Sequence, residues 1–172
     1  SLKAHLGLRE LSLMTFNINT VSSLEPLLNS LEPLFERVSL KSQRFDAIAR
    51  FPGLLDRQVE AGKRTFTCAM EGVSDRLRRF LQKGLPEPTL LEGFRQLFQR
   101  DIRQMKVFVI ITGDESEKDL AEFSTFLGKL KVLLANLRSK PILTFSLAAL
   151  YRPPFTPLQF LPARPSMEAL EK

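Results

Sequence analysis

One histidine, His5, and one cysteine, Cys68, are all that these 172 residues offer of the side chains most used for soft-metal ligation and nucleophilic catalysis. A lone cysteine has no partner within the chain, so nothing points to a disulfide-built secreted scaffold. A single histidine excludes a His-rich metal site and argues against a Ser/His or Cys/His nucleophilic pair. No run reaches the roughly 20 consecutive apolar residues of a membrane span. Charges interrupt even the most hydrophobic region, 105–137. The first residues lack a signal-peptide pattern, so the cytoplasm is the expected compartment, with no membrane partner. No glycine-rich phosphate loop follows a strand-like run, and no pair of carboxylates is spaced in a way that singles out glycoside hydrolysis.

What remains is enough for one core. The chain is 44% hydrophobic and carries a net charge of +6, which predicts a single domain. The densest basic group is Arg76, Arg78, Arg79 and Lys83. It falls on one predicted helix, and a solvated face is preferred to nucleic-acid contact because a basic patch counts only when it forms a stripe.

β-Branched and aromatic runs alternate with segments of helical spacing, the pattern of βα units feeding a parallel sheet. Five strands are predicted: 11–17, 38–45, 64–70, 105–111 and 142–147. Helices are predicted over 23–35, 54–61, 74–82, 90–102 and 117–137, with Ser116 and Asp119 spaced as a capping box. Pro52, Pro86 and Pro88 are expected in loops. No strand alternates strictly over its whole length, which predicts strands covered on both faces. From Pro141 onward six prolines predict an irregular extended segment after the last strand, and 167–172 is expected to begin another helix. The fold class expected is α/β, with about five parallel strands and crossover helices. An eight-strand barrel usually takes about 250 residues, more than this chain has.

In parallel α/β folds chemistry gathers at the C-terminal ends of strands. The first predicted strand ends in Thr15 to Asn19, and the second in Ser42, Gln43, Arg44 and Asp46, a high polar density for a buried strand. The third runs into Glu71, Gly72 and Ser74, the fourth into Thr112, Gly113, Asp114 and Glu115, and the last into Tyr151 and Arg152. Taken singly, such residues more often cap the next helix or meet water, as Ser74 and Asp114 are expected to do. Arg44 and Glu71 are expected to project toward one mouth, where a buried charge needs a partner or a ligand. Cys68, inside a strand, is expected to be an inert buried thiol.

These segments carry a resemblance. Thr67-Cys68-Ala69-Met70-Glu71-Gly72-Val73-Ser74-Asp75-Arg76-Leu77-Arg78, with Lys83 beyond, resembles the fourth-strand segment of radical SAM enzymes, especially the cobalamin-binding type and related branches. Val107 through Glu115 is similar to that family's fifth strand, a hydrophobic run ending in a glycine and an acidic residue. Phe145-Ser146 and Pro154-Phe155-Thr156-Pro157-Leu158-Gln159-Phe160 resemble the sixth strand and the segment after it, the last string being the most specific.

The resemblance implies that residues 1–160 form a partial parallel (β/α) barrel, the second to sixth strands of six, with 161–172 a C-terminal tail. It implies S-adenosylmethionine as cofactor, and in the intact protein a 4Fe–4S cluster held by a Cys-x3-Cys-x2-Cys loop after the first strand. The chain is therefore expected to be a fragment, inactive alone, whose upstream part supplies that loop, with cobalamin a further cofactor in some branches. The intact enzyme would generate a 5′-deoxyadenosyl radical. Thr15 and Asn17 would lie near the methionine amino group, although Thr-Phe-Asn-Ile-Asn stands where the family has Gly-Gly-Glu. Ser42 and Arg44 would lie near the carboxylate or the substrate, Glu71 near the ribose or amino group, and Gly113 and Glu115 beside the adenine. Ser74 belongs to the same motif, and Arg78 would pair with a carboxylate. The alternatives are a non-catalytic nucleotide- or RNA-binding barrel remnant and a purely structural domain. The substrate is not legible, since members share the radical-generating half and differ in what they act on.

Overall fold

A computed structural model describes residues 7–14, 23–152 and 154–160. They form an α/β fold of parallel strands and crossover helices. In chain order the elements are β1 (Glu10–Leu13), α1 (Leu24–Leu31) with a 3-10 turn at Glu32–Leu34, β2 (Arg37–Leu40), β3 (Ser42–Arg44), α2 (Phe45–Arg50), α3 (Pro52–Glu60) and β4 (Thr65–Glu71). There follow α4 (Asp75–Phe80), α5 (Glu87–Phe98), β5 (Gln104–Ile111), α6 (Glu117–Ala135), β6 (Ile142–Ala149) and a 3-10 turn at Pro157–Phe160.

The second expected strand is two, divided at Lys41. β2 pairs with β1, and β3 pairs with β4. Phe45, expected to end that strand, instead opens α2 and is fully buried. Pro52 and Pro88, expected in loops, stand in the first turns of α3 and α5. There the missing N–H costs no hydrogen bond and the fixed φ favours the helix. The segment after β6, expected to be irregular, contains the 3-10 turn, while 167–172 lies outside the described residues.

The helices form for local reasons. In α5, Leu90, Phe94, Leu97 and Phe98 are buried at helical spacing, one apolar stripe against the sheet. In α6, Ser116 caps the N-terminus and Asp119 closes the capping box, so both groups that start the helix are in the sequence. Phe126 and Leu130 of α6 then reach the same core.

The four-stranded sheet runs β3-β4-β5-β6, all parallel and in chain order. Right-handed crossovers that step in one direction put their helices on one face of a sheet. Burial agrees: Phe66, Cys68 and Met70 of β4 and Met105, Val107 and Val109 of β5 are buried in the helix-side core. Between them Thr65, Thr67 and Ala69, and Lys106, Phe108 and Ile110, stay partly or fully exposed. The expectation of strands covered on both faces is not met among the described residues, since the second-face side chains of β4 and β5 join neither core cluster.

Each of Phe66, Phe94 and Phe126, almost wholly buried, contributes about 1.5–3 kcal/mol of hydrophobic stabilisation. A smaller cluster of Leu24, Leu28, Val38 and Leu40 seats α1 against β2.

Candidate functional site

Of the expected site residues, Arg44 and Glu71 close β3 and β4 near enough for the Glu71 charge to act on Arg44, and Gly113 and Glu115 follow β5. Arg44 ends β3 and Glu71 ends β4, each with a protein partner. Arg44 donates Nε and Nη2 to the two carboxylate oxygens of Asp46, both at 2.8 Å, and Nη2 reaches the Lys83 carbonyl at 3.4 Å. The Asp46 bond holds the Arg44 guanidinium above its ordinary pKa; burial opposes this, and Asp46 and Glu71 add field. Of the five guanidinium donors, the Nη1 pair has no acceptor among the described residues.

Glu71 is ion-paired through Oε1 with Lys83 Nζ at 3.1 Å, which leaves Oε2 uncommitted among the described residues. Its backbone is unusual. The pairing of β4 with β5 shifts between Ala69 and Glu71, and Glu71 takes a φ of 74°. A non-glycine residue there costs of order 1–3 kcal/mol, strain of a kind that clusters at ligand sites. Gly72 comes next because nothing larger fits: a Cβ would lie 2.9 Å from Leu77 Cβ and 3.0 Å from the Arg78 nitrogen.

The mouth thus offers a donor edge on Arg44 and an acceptor on Glu71. Ser42, two residues before Arg44 on the same strand and face, is exposed. Gly113 stands after β5 with φ 80°, a backbone position that favours glycine. Glu115 clasps this loop: Oε1 accepts from the Thr112 nitrogen at 2.7 Å and the Thr112 hydroxyl at 2.9 Å, and Oε2 from the Gly113 nitrogen at 2.8 Å.

Ser74 and Arg78 are turned inward. Ser74 is fully buried, caps α4 by accepting from the Leu77 nitrogen, and donates to Asp119 Oδ1 at 2.5 Å. Arg78, 1% exposed, donates Nε to the Leu85 carbonyl at 2.7 Å and Nη1 to the Gly72 carbonyl at 3.2 Å. Burial lowers its pKa against the pull of Glu122 and Asp75. Thr15 and Asn17 lie outside the described residues.

Asp119 of α6 is the residue sequence reasoning had seen only as a cap. It accepts from Ser74, from Ser116 and from both Nε and Nη2 of Arg76, tying the loops after β4 and β5 to one helix start. The Arg76 bonds, with help from Ser116 and Ser74 and against desolvation, hold its carboxyl well below the usual range. The basic group has no free stripe, since Arg76 pairs with Asp119, Arg79 with Asp75, Lys83 with Glu71, and Arg78 is buried. Gln43, from the polar end of the second expected strand, is buried against Gln58 at 2.8 Å.

Lys106 was missed as well. It sits inside an apolar run, and only the alternation Met105-Lys106-Val107-Phe108-Val109 signals that it faces away from the core.

A cluster finds no ligand set here. Cys68 is fully buried on the helix side, its thiol pushed up to about 12 by burial, and the described residues hold no group of three His, Cys, Asp or Glu able to take a metal. No described helix is long and apolar enough to cross a membrane. No protein-family model matches the sequence, and no curated protein matches it.

Proposed function

We propose that this chain is the S-adenosylmethionine-binding portion of a radical SAM enzyme, its strands an arc of a partial (β/α) barrel. One observation carries the proposal: a parallel sheet wound in one direction whose C-terminal rim carries a donor edge on Arg44 and an acceptor on Glu71 that, like one face of the sheet, are left uncovered by the described residues. Parallel sheets are ordinarily covered on both faces, and a one-directional sheet achieves this by curving round its contents.

A zwitterionic amino acid with an attached nucleoside suits that rim. The Nη1 edge of Arg44 would take the methionine carboxylate, and Asp46 pre-orients the guanidinium for it. Oε2 of Glu71 would accept from the ammonium or a ribose hydroxyl, its aim set by the bulge and the Lys83 pair. Gly113 carries no side chain that would keep a flat base from the backbone, and Glu115 holds its loop closed. Ser74, Arg78 and Asp119 act indirectly, by holding the loops that present these groups. The radical-generating cluster does not fit these residues, so no step is assigned through it, and no described residue is assigned to cobalamin.

Titration of the ¹⁵N-labelled chain with S-adenosylmethionine tests the proposal. Amide shifts should concentrate at Ser42, Arg44, Glu71 and Gly113, and Arg44→Ala and Glu71→Ala should weaken binding by about tenfold. Absence of shifts at these four amides rejects it. If instead single-stranded RNA binds with steep salt dependence through Arg76 and Arg79, the nucleic-acid alternative takes its place.

A further inference from the structure

The bare face has chemistry of its own below the rim. Register places Ser42 beside Thr67, Thr67 beside Lys106, and Lys106 beside Thr144, so one row across four strands reads Ser, Thr, Lys, Thr. The next row is Arg44, Ala69, Phe108 and Ser146, and above it Ile110 is beside Ala148. Neighbouring strands are about 4.8 Å apart, so hydroxyls flank the Lys106 side chain on both sides.

Lys106 forms no ion pair with a described carboxylate; its ammonium lies 4.8 Å from the centroid of the Phe108 ring, which is itself 38% exposed. No carboxylate stands in the Lys106 or Phe108 row. An ammonium with three donors, flanked by hydroxyls and set over a ring, complements an anion with a flat apolar body. Ala69 and Ser146, on either side of Phe108, are small, and the ring is left partly exposed.

We infer that Lys106 is the anion-holding residue of a small-molecule subsite on this face, taking the phosphate or carboxylate of an organic anion whose planar part rests on Phe108. The occupant is anchored two rows below Ile110, roughly 13 Å at the strand rise. This deepens the proposed function by naming the substrate class, and it rests on the bare face being the interior of the site.

Phenyl phosphate and benzoate are the probes, one anion of each kind on the same ring, titrated into the ¹⁵N-labelled chain. At least one should shift the amides of Thr67, Lys106, Phe108 and Thr144, and the tighter of the two names the anion. Lys106→Gln should weaken it by about tenfold and Lys106→Arg by less than about threefold. Lys131→Gln, removing an exposed cation on α6, should change nothing. The inference is overturned if neither probe shifts those amides, if Lys106→Gln binds as well as the parent, or if Lys131→Gln weakens binding equally. It is also overturned if single-stranded RNA shifts the same amides more strongly than either probe. Loss of S-adenosylmethionine shifts at Glu71 and Gly113 with probe shifts intact at Lys106 would sink the cofactor proposal and leave this one standing.

Discussion

Replacing Asp119 should loosen the rim of the sheet more than any exposed charge would. Its side chain is 4% exposed and accepts from Ser74 and Ser116 at 2.5 Å each and from the Ser116 nitrogen at 2.8 Å. The helix cap is worth about 1 kcal/mol, and the hydroxyl bonds to a buried carboxylate add about 2 kcal/mol together. The half-exposed Arg76 is screened by solvent and adds little. Asp119→Ala should therefore lose about 3 kcal/mol, or roughly 6–12 °C in Tm for a domain of this size. The pH dependence has a definite sign. The folded carboxyl is held well below its unfolded value, so its stabilisation is full above the unfolded pKa and erodes as pH falls through about 4 toward the folded value. Between neutral pH and pH 3 the gap between the parent and Asp119→Asn should narrow by about 1 kcal/mol. Urea unfolding followed by far-UV circular dichroism at both pH values measures it. A loss under about 0.5 kcal/mol at neutral pH, or a gap that widens in acid, would refute the account of Asp119 as the tie between the loops.

Other expectations rest on single contacts. Arg78→Met leaves the Gly72 and Leu85 carbonyls without their donor and should lose about 3 kcal/mol in urea unfolding, with Arg78→Lys recovering only part because an ammonium cannot fork. Two helical glycines should respond with opposite sign in thermal melts. At Gly93 a Cβ would lie 2.8 Å from Phe45 Cδ1 and 3.0 Å from its carbonyl oxygen, while at Gly128 it meets nothing within 4 Å. Gly93→Ala should lose about 1–3 kcal/mol and Gly128→Ala gain up to about 1 kcal/mol. Cys68, fully buried with its thiol pushed up to about 12, should resist a thiol reagent in the native state and react only as the chain unfolds; fast labelling without unfolding would contradict its burial.

The rim was partly legible in sequence. Arg44 and Glu71 were expected at one mouth in need of partners, and their partners, Asp46 and Lys83, are both residues the sequence had drawn attention to. What sequence did not show is which donors remain open once those pairs form. Ser74 fits a helix cap in the sequence and is one, and Arg78 stands on the helix that follows with nothing in its spacing to say that it turns inward. They are buried because α4 turns immediately back over Gly72, a close approach that only packing reveals.

Local pattern alone determined that β4, β5 and β6 are strands, that α5 and α6 are helices, and where α6 begins, because two- and 3.6-residue periodicities and a capping box are properties of neighbouring residues. The order in which strands pair, and so the face that the described helices leave uncovered, was decided only in three dimensions. Pairing of Ser42, Thr67, Lys106 and Thr144 joins residues far apart in the chain; the alternation within β5 says which side chains leave the core, but no spacing rule records which strand lies beside which.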